Sequence, residues 1–469
     1  MYHKTRKQKS LKKILVLALC FIAISGTNIV NADDKKITFH QALEQVYKNN
    51  GTLKASKAIV EKTKYMEKAA QGLYYPKIWM DGKYTHINDE IVIDLNGIRS
   101  VMGKLHGVPP QILPSFTTKV QKKAFSNANI NFSWMIFTGG KITAANKAAG
   151  ARVTGEQEQY FHNRSMLTTE LAKRYYGYLV AMDAVKVYKL MTDAIDQHLS
   201  QTKELEKYGI IARSEKIHAE AALAEALRKY KKSIRKVKIA RAGLNNILSS
   251  KTDIDPVSPL FLTKKIDRLT NYIKSARLNN HILKGLAAKE ELAIQGYKAE
   301  LGAQMPDIYC FGKYELYKKN LTLLDPEWAV GIGVSFPLFE GFSKTNKIMA
   351  AKKQKQAITF FKQKAVQDIC TLVEKKYNEL MMEIEQFEAL NTSLKFANEN
   401  LRVNKLAYKS GIKTSLDVVD AQLAVSQIKI ERLNTMYKFD ISLAELLEVC
   451  GASRQYEKYQ NYNDVEVKF

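Results

Sequence analysis

Two segments of the chain alternate apolar residues with polar or small ones. The apolar positions are Ala128, Ile130, Phe132, Trp134 and Ile136 in one segment and Trp328, Val330, Ile332, Val334 and Phe336 in the other. A period of two predicts β-strands with one apolar face. Each segment follows a less regular one, so two strands are predicted in each half of the chain. A sandwich edge and a membrane barrel both produce this pattern.

Long helices are predicted for most of the remaining chain. Residues 141–207 contain no proline, so they can form one helix about 100 Å long. Helices of about half that length are expected over 38–73 and 215–248. In the second of these, apolar residues follow the heptad spacing of a coiled coil, at Leu223, Leu227, Tyr230, Ile234, Val237, Leu244 and Leu248.

The chain contains the same unit twice. Residues 41–84 align with 271–314 at an offset of 230, and residues 133–248 align with 335–450 at an offset of 202, both without a gap. Each unit reads helix, strand, loop, strand, long helix, turn, helix. A register kept over so many positions predicts a tandem duplication.

The duplication sets the predicted domain boundaries. We expect a signal peptide over 1–32, a first repeat over 33–250, a linker over 251–266, a second repeat over 267–450 and a tail over 451–469. The strands are expected at about 77–90, 124–137, 307–318 and 327–339. The stretch from 86 to 123 contains Pro109, Pro110 and Pro114. It predicts a long, irregular and exposed loop.

The N-terminus has the features of a secretory signal peptide. Six Lys and Arg residues precede an apolar run from Ile14 to Ile24, and cleavage is predicted after Ala32. The run is shorter than the roughly 18 residues of a membrane span. Cleavage removes six positive charges and lowers the net charge from +26 to about +20. Export and the dispersed lysines argue against a nucleic-acid partner.

Four predicted strands are too few to close a barrel. Open strand edges in lipid would leave backbone groups unpaired, and known barrels begin at about eight strands. Self-association is therefore required if the strands span a membrane. Three chains would supply twelve strands around a water-wide interior.

Two glycines, Gly209 and Gly411, interrupt the helical pattern at equivalent places in the repeats. After the second, Asp417 and Asp420 follow at a spacing of three, which puts both carboxylates on one helix face. After the first, Glu215 is the nearby carboxylate. The hypothesis is that these are two hairpin tips, with the acid pair where a pore narrows. A solvated outer face is the alternative for such a pair.

Three segments resemble the TolC-like outer-membrane efflux proteins. F-S-W-M-I-F-T-G-G-K-I (132–142) and V-S-F-P-L-F-E-G-F-S-K (334–344) look like that family's strand-to-helix junction. G-I-K-T-S-L-D-V-V-D-A (411–421) is similar to its second helical tip. The resemblance covers about 37 to 450.

The resemblance implies an α+β membrane protein of the outer membrane of a Gram-negative bacterium. Its fold would be a homotrimer with a twelve-stranded β-barrel and a long helical tunnel in the periplasm. The function would be the passive exit duct of a tripartite efflux pump or type I secretion system. A periplasmic adaptor and an inner-membrane transporter of the RND, ABC or MFS type would be its partners. Outer-membrane lipid would contact Ile130, Phe132, Trp134, Val330, Ile332, Val334 and Phe336.

The resemblance also implies roles for residues at the tips. Asp417 and Asp420 match the constricting carboxylates of the periplasmic gate, and crowding around a threefold axis is expected to raise some of their pKa values. Lys413 and Glu215 match a pair that braces the gate. The residues expected to contact the adaptor are Gly209, Ile210, Gly411 and Ile412.

The sequence contains no recognisable catalytic constellation. H-E-x-x-H, G-x-S-x-G and G-x-x-x-x-G-K-[ST] are absent, and Gly331-Ile332-Gly333 lies inside a strand pattern. We therefore expect no enzyme activity, no cofactor and no bound metal. The alternative function is a secreted coiled-coil structural or adhesion protein without a pore, which would not need the paired strands.

Overall fold

The computed structural model describes residues 35–109, 111–250, 252–320 and 325–462. The predicted signal peptide lies outside these residues, and so does the end of the predicted tail. Among the described residues, none of the helices has both the length and the apolar character needed to cross a bilayer.

Helices form most of the described chain. In chain order they are α1 (Phe39–Asn49), α2 (Gly51–Gln71), α3 (Asn96–His106), α4 (Lys141–Lys207), α5 (Arg213–Ile247), α6 (Leu269–Asn279), α7 (His281–Gly302), α8 (Ser343–Lys409), α9 (Ser415–Val449) and α10 (Tyr456–Gln460). The two long helices α4 and α8 have 67 residues each, and their return helices α5 and α9 have 35 each. All four ends of α8 and α9 lie 202 residues after those of α4 and α5. The duplication is therefore visible in the helix boundaries themselves.

In the part of the chain that the structure describes, eight strands form three sheets. They are β1 (Lys35–Ile37), β2 (Lys77–His86), β3 (Ile91–Asp94), β4 (Thr117–Gln121), β5 (Ala124–Phe137), β6 (Ile254–Pro256), β7 (Asp307–Lys319) and β8 (Trp328–Ser335). The main sheet has the order β2-β5-β7-β8 and is antiparallel throughout. The β5–β7 pairing joins the two repeats. Strands β2 and β8 are its edges.

The main sheet has one apolar and one polar face. Phe132, Gly312 and Val330 are successive partners across three strands, so apolar positions of both repeats share one face. Val330 is 71% exposed and Ile332 is 69% exposed. Such exposure of large apolar side chains marks a surface that another phase or another molecule covers. Phe336 lies one residue beyond the end of β8.

The opposite face carries hydrogen-bonded polar groups and glycines covered by rings. The Asp81 carboxylate accepts hydrogen bonds from the side-chain amides of Asn129 (3.2 Å) and Asn131. A Cβ on Gly331 would lie 2.8 Å from the Phe311 ring, so this position has no room for a larger residue. Tyr309 covers Gly333 in the same way. The small residues on this face thus make space for aromatic side chains of the neighbouring strand.

The predicted leading helix is two helices in each repeat. Asn50 separates α1 from α2, and Asn280 separates α6 from α7, both with extended backbone conformation. Each asparagine accepts a hydrogen bond at 3.0 Å, from the N–H of Leu53 and Leu283 respectively, and so caps the second helix. The expectation of one continuous helix over 38–73 was wrong because capping by asparagine is favoured over its helical conformation.

The stretch 86–123 also differs from the expected irregular loop. Strands β3 and β4 form an antiparallel pair, and α3 lies between them in sequence. The Asn96 side chain accepts a hydrogen bond from the Phe116 N–H at 3.1 Å. The segment therefore has its own secondary structure. Two strands of the main sheet are also shorter than expected. Strand β2 ends at His86 instead of residue 90, and β8 ends at Ser335 instead of residue 339.

A buried aromatic cluster joins the two repeats where α4 and α9 pass the linker. We call it the waist core, and it contains Phe39, Tyr175, Tyr176, Phe261, Phe439 and Tyr456. The Phe39 and Tyr456 rings lie 5.2 Å apart, and those of Phe261 and Phe439 lie 5.9 Å apart. Asp440 is fully buried beside them, and burial raises its pKa well above the usual range. Burial thus favours the neutral form of this carboxyl.

We predict that the side chains of Asn280 and Asn50 contribute different amounts to the free energy of unfolding. Asn280 also donates a hydrogen bond to the Val449 carbonyl at 2.8 Å, across to the end of α9. Asn280→Ala should therefore cost about 1–3 kcal/mol, since it removes a cap and leaves a carbonyl unsatisfied. Asn50→Ala, the matched control, should cost about 1 kcal/mol. Thermal unfolding of both variants in detergent tests this, and equal midpoints would contradict it.

Candidate functional site

The two hairpin tips end their long helices in the same way. Gly209 and Gly411 have φ values of 69° and 71°, which glycine adopts at no steric cost. After α4, the Ile210 N–H bonds to the Leu205 carbonyl at 2.9 Å. After α8, the Ile412 N–H bonds to the Ala407 carbonyl at 2.9 Å. Both are Schellman motifs, which stop the helix and reverse the chain.

The two tips differ in how the return helix begins. At the second tip, the Thr414 hydroxyl accepts from the Asp417 N–H at 3.3 Å, and the Asp417 carboxylate accepts from the Thr414 N–H at 2.9 Å. This is a capping box. At the first tip the equivalent of Thr414 is Ala212, which has no capping side chain. Glu215 is the equivalent of Asp417, but its carboxylate forms no capping box with the residue that precedes its own helix.

Glu215 caps the other repeat instead. Its carboxylate accepts a hydrogen bond from the Ser415 N–H at 2.6 Å, in the first turn of α9. A carboxylate at a helix N-terminus satisfies a free N–H and interacts favourably with the helix dipole. The two tips are therefore joined by one charge-assisted hydrogen bond between repeats.

A buried polar network continues from this contact. The Ser415 hydroxyl lies 2.7 Å from His198 Nε2, and the His198 ring packs edge-on against Tyr408 at 4.9 Å. The Tyr408 hydroxyl lies 3.0 Å from the Thr202 hydroxyl. Helices α4, α8 and α9 each contribute to this network. It holds the ends of both repeats in one arrangement.

Burial and the nearby Lys405 hold the pKa of His198 below its ordinary value of 6.5. Glu215 acts in the opposite direction but does not cancel these effects. The ring is therefore neutral at neutral pH, and one ring nitrogen can accept a hydrogen bond while the other donates.

The two acids, Asp417 and Asp420, have different surroundings. Lys413 Nζ lies 3.1 Å from the Asp417 carboxylate. Hydrogen bonds from the Thr414 backbone and hydroxyl, together with Lys413, lower the pKa of Asp417 to about 2. The upward shift expected for some of these carboxylates rests on crowding around a threefold axis, which a single chain does not contain, so it stays a prediction. Asp420 is exposed and makes no hydrogen bond or ion pair with a described residue.

The predicted Glu215–Lys413 brace is not formed. Lys413 pairs with Asp417 in its own tip, and Glu215 binds the Ser415 backbone. The expected link between repeats exists, but a backbone N–H takes the place of the lysine. The sequence analysis missed His198, Thr202, Tyr408 and Ser415. The sequence did contain one indication of this contact between the tips. In the alignment of the two repeats, Ala212 stands where the second repeat has the capping residue Thr414.

The tips also expose apolar side chains. Ile210 is 65% exposed and Ile412 is 78% exposed, and Tyr208 beside them is 71% exposed. Equivalent positions in both repeats thus present isoleucine to the surroundings. Exposed apolar groups at a rigid turn are suited to contact with another protein.

Comparison with known proteins identifies the family. A family model described as outer membrane efflux protein matches residues 42–250 and 272–452. The chain belongs to the outer membrane efflux protein family. The TolC-like resemblance of the sequence is thereby confirmed, and so is the outer-membrane location with a periplasmic helical portion.

Individual proteins resemble the chain over about half to nearly all of its length. It is 20% identical to outer membrane protein TolC of Escherichia coli over 467 residues, 94% of this chain and 87% of TolC. It is 22% identical to protein CyaE of Bordetella pertussis over 239 residues, 48% of this chain and 50% of CyaE. The crystal structure of outer membrane protein VceC from Vibrio cholerae matches with a TM-score of 0.72 at 13% identity, covering 88% of this chain and 96% of VceC.

We predict that Glu215 controls the local stability of the second tip of this efflux protein. Glu215→Ala should speed exchange of the Ser415 amide hydrogen about tenfold, since a charge-assisted capping bond contributes about 1–2 kcal/mol. Hydrogen–deuterium exchange measured on tip peptides checks this. Glu220→Ala, an exposed acid of the same helix, is the matched control. Unchanged exchange in Glu215→Ala would show that the contact does not stabilise α9.

We predict that acidification loosens the tips through His198. Its folded-state pKa is below 6.5, so below that pH the opened state binds more protons than the closed state. The contribution of His198 to the stability of the closed tips is complete above pH 6.5 and decreases as the pH falls toward the lowered pKa of the folded state. Protease sensitivity of the tips should therefore rise between about pH 7.5 and about pH 5.5. His198→Gln should lose this dependence, whereas exposed His218→Gln should keep it; the reverse result would contradict the assignment.

Proposed function

We propose that this protein is the exit duct of a tripartite efflux pump or a type I secretion system. The observation that carries the proposal is the β2-β5-β7-β8 sheet with two open edges. Edge strands present unpaired backbone N–H and C=O groups, which lipid cannot satisfy. Within one chain the described part of this sheet offers no way to close it.

Closure by further copies of the chain resolves this constraint. Edge β8 of one copy would pair with edge β2 of the next, and three copies give twelve strands. The apolar face, with Val330, Ile332 and Val334 exposed, would contact outer-membrane lipid. The face with Asp81, Asn129 and glycines would line an aqueous interior. A homotrimer with a twelve-stranded barrel is the simplest arrangement that satisfies both faces.

The helical tips would form the periplasmic gate. Asp420 is exposed and without a described partner, so three copies would place a ring of carboxylates around the axis. Asp417 would contribute charge, but its hydrogen bonds also start α9. In place of the expected Glu215–Lys413 brace, the Glu215–Ser415 contact would hold the two hairpins together in the closed state.

A periplasmic adaptor would dock on the tips, and an inner-membrane transporter of the RND, ABC or MFS type would supply energy. The exposed Ile210 and Ile412 support this docking site. The protein itself would catalyse no reaction and need no cofactor. The family is one of channel proteins rather than enzymes. The alternative of a secreted coiled-coil adhesion protein leaves the apolar sheet face and the family match unexplained.

Single-channel recording of the purified protein in a planar bilayer tests the proposal. We expect a detergent-resistant trimer that conducts ions and is blocked by multivalent cations from the periplasmic side. Asp420→Asn should weaken the block about tenfold or more, because the carboxylate ring is its binding site. Trimer formation should not change.

The matched control is Glu374→Gln, which changes an exposed acid in the middle of α8, far from the tip residues named above. This variant should keep the block of the unmodified protein. A soluble monomer without conductance would contradict the duct. Conduction with equal block in Asp420→Asn would retain the duct and reject the carboxylate ring.

A further inference from the structure

The helix α3, in the segment between β2 and β5, turns its apolar side outward. Its apolar residues fall within one face that is about 100° wide. They are Ile98, Val101, Met102 and Leu105, with exposures of 51%, 59%, 40% and 78%. A surface helix normally packs such a face on the core of its protein. The described chain leaves the apolar face of α3 largely uncovered.

The opposite side of α3 contacts its own segment. Gly103 is buried, and Arg99 Nη2 donates a hydrogen bond to the Gln111 carbonyl at 2.8 Å. The Asn96 side chain accepts from the Phe116 N–H at 3.1 Å. Helical spacing puts Asn96, Arg99 and Gly103 on the side away from the apolar residues. The polar side is thus used within the segment, and the apolar side is left for a partner.

The segment that carries α3 lies at the end of the main sheet that is remote from the long helices. Phe137, the last residue of β5, comes shortly before α4, whereas residues 87–123 join the opposite ends of β2 and β5. The segment is fastened there, because the buried Gln121 side chain donates to the Asn320 carbonyl at 2.6 Å, just beyond β7. Since the helical portion of this outer-membrane protein is periplasmic, this end of the sheet faces out of the cell.

Aromatic residues mark this end of the apolar sheet face. Those on the same face as Val330, each more than half exposed, are Tyr84, Tyr314, Tyr317 and Trp328. Tyr84 and Tyr317 lie near the ends of β2 and β7 that face out of the cell. Tyrosine and tryptophan form belts where a barrel meets the lipid headgroups. The belt indicates that headgroups lie beside the start of the segment that carries α3.

The charges of the segment are suited to an anionic surface. Residues 95–123 contain five Lys and Arg residues and no Asp or Glu. Two of the five, Lys119 and Lys123, form ion pairs with acids just before β3. Within α3 itself, Arg99 and Lys104 are accompanied by no acid. Apolar residues on one side of a helix and cations on the other are typical of interfacial helices that lie on anionic lipid.

A second copy of the chain is a poorer partner for this face. The helix has 11 residues and is about 16 Å long. A stable protein interface takes about 800 Å² from each partner, which the apolar side chains of so short a helix do not supply. Packing α3 against α3 of another copy would also bring like charges together. A lipid surface imposes neither requirement.

We propose that α3 is an interfacial helix that binds the anionic, phosphate-bearing lipid surface on the outward side of the outer membrane. Its apolar side chains enter the boundary between headgroups and acyl chains, about 5–10 Å deep. Lys104 extends from the polar side to the lipid phosphates. This contact is separate from the helical tips, and it rests on the outer-membrane location rather than on transport.

Photo-crosslinking of the full-length protein in phosphatidylglycerol vesicles tests this contact. A benzophenone amino acid replaces Leu105 in one variant and Ser100, an exposed residue on the polar side of α3, in the matched control. We expect about five times more lipid adduct at position 105 than at position 100, measured by mass spectrometry. A crosslink from position 105 to another copy of the chain as the main product would overturn the proposal. Equal lipid adduct at both positions, including none at either, would also overturn it.

Lys104 provides a separate test of the charge. Lys104→Gln should lower the ratio of the adduct yield in phosphatidylglycerol to that in phosphatidylcholine about fivefold, because one cation near an anionic surface has an effect of that size. Lys48→Gln removes an exposed lysine of α1 and is the matched control, with an unchanged ratio expected. Leu105, Ser100 and Lys104 are all exposed, so the variants should remain folded. Equal ratios in Lys104→Gln and Lys48→Gln would overturn the assignment to anionic lipid.

Discussion

The waist core is the interaction on which the rest of the structure depends. Neither repeat buries its aromatic residues alone, because the Phe39 ring of the first repeat packs with Tyr456 from beyond the second. The buried Tyr175 hydroxyl also donates to the Ile37 carbonyl and accepts from the Ser258 N–H, so it links β1 to the linker. Each aromatic pair contributes about 0.5–1.5 kcal/mol beyond its buried area. The core therefore fixes the register of the long helices between sheet and tips.

If both tips had the same capping residues, the hydrogen bond between Glu215 and Ser415 would not be expected to form. The two Schellman turns are alike because glycine is required at both. The change from threonine to alanine at Ala212 breaks the symmetry, since it removes one capping box and leaves Glu215 without a local partner. The carboxylate then satisfies an N–H of the other repeat. One missing hydroxyl thus converts a local cap into a contact between repeats.

Burial has the same consequence for one ionisable side chain at the waist and one at the tips. Burial raises the pKa of Asp440 at the waist and lowers the pKa of His198 at the tips, so in both places it favours the neutral form.

The sequence by itself determined the helices, the strands and their repetition. The ends of α4 and α5 lie within two residues of the expected ones, because helix and strand periods are local properties and each repeat supplied a second copy. The tertiary structure alone decided the hydrogen bond from the Asn280 side chain to the Val449 carbonyl and the contact of His198 with Ser415. Residues 217 positions apart meet only once the helices are packed. No periodicity in the chain encodes which N–H a carboxylate such as Glu215 will reach.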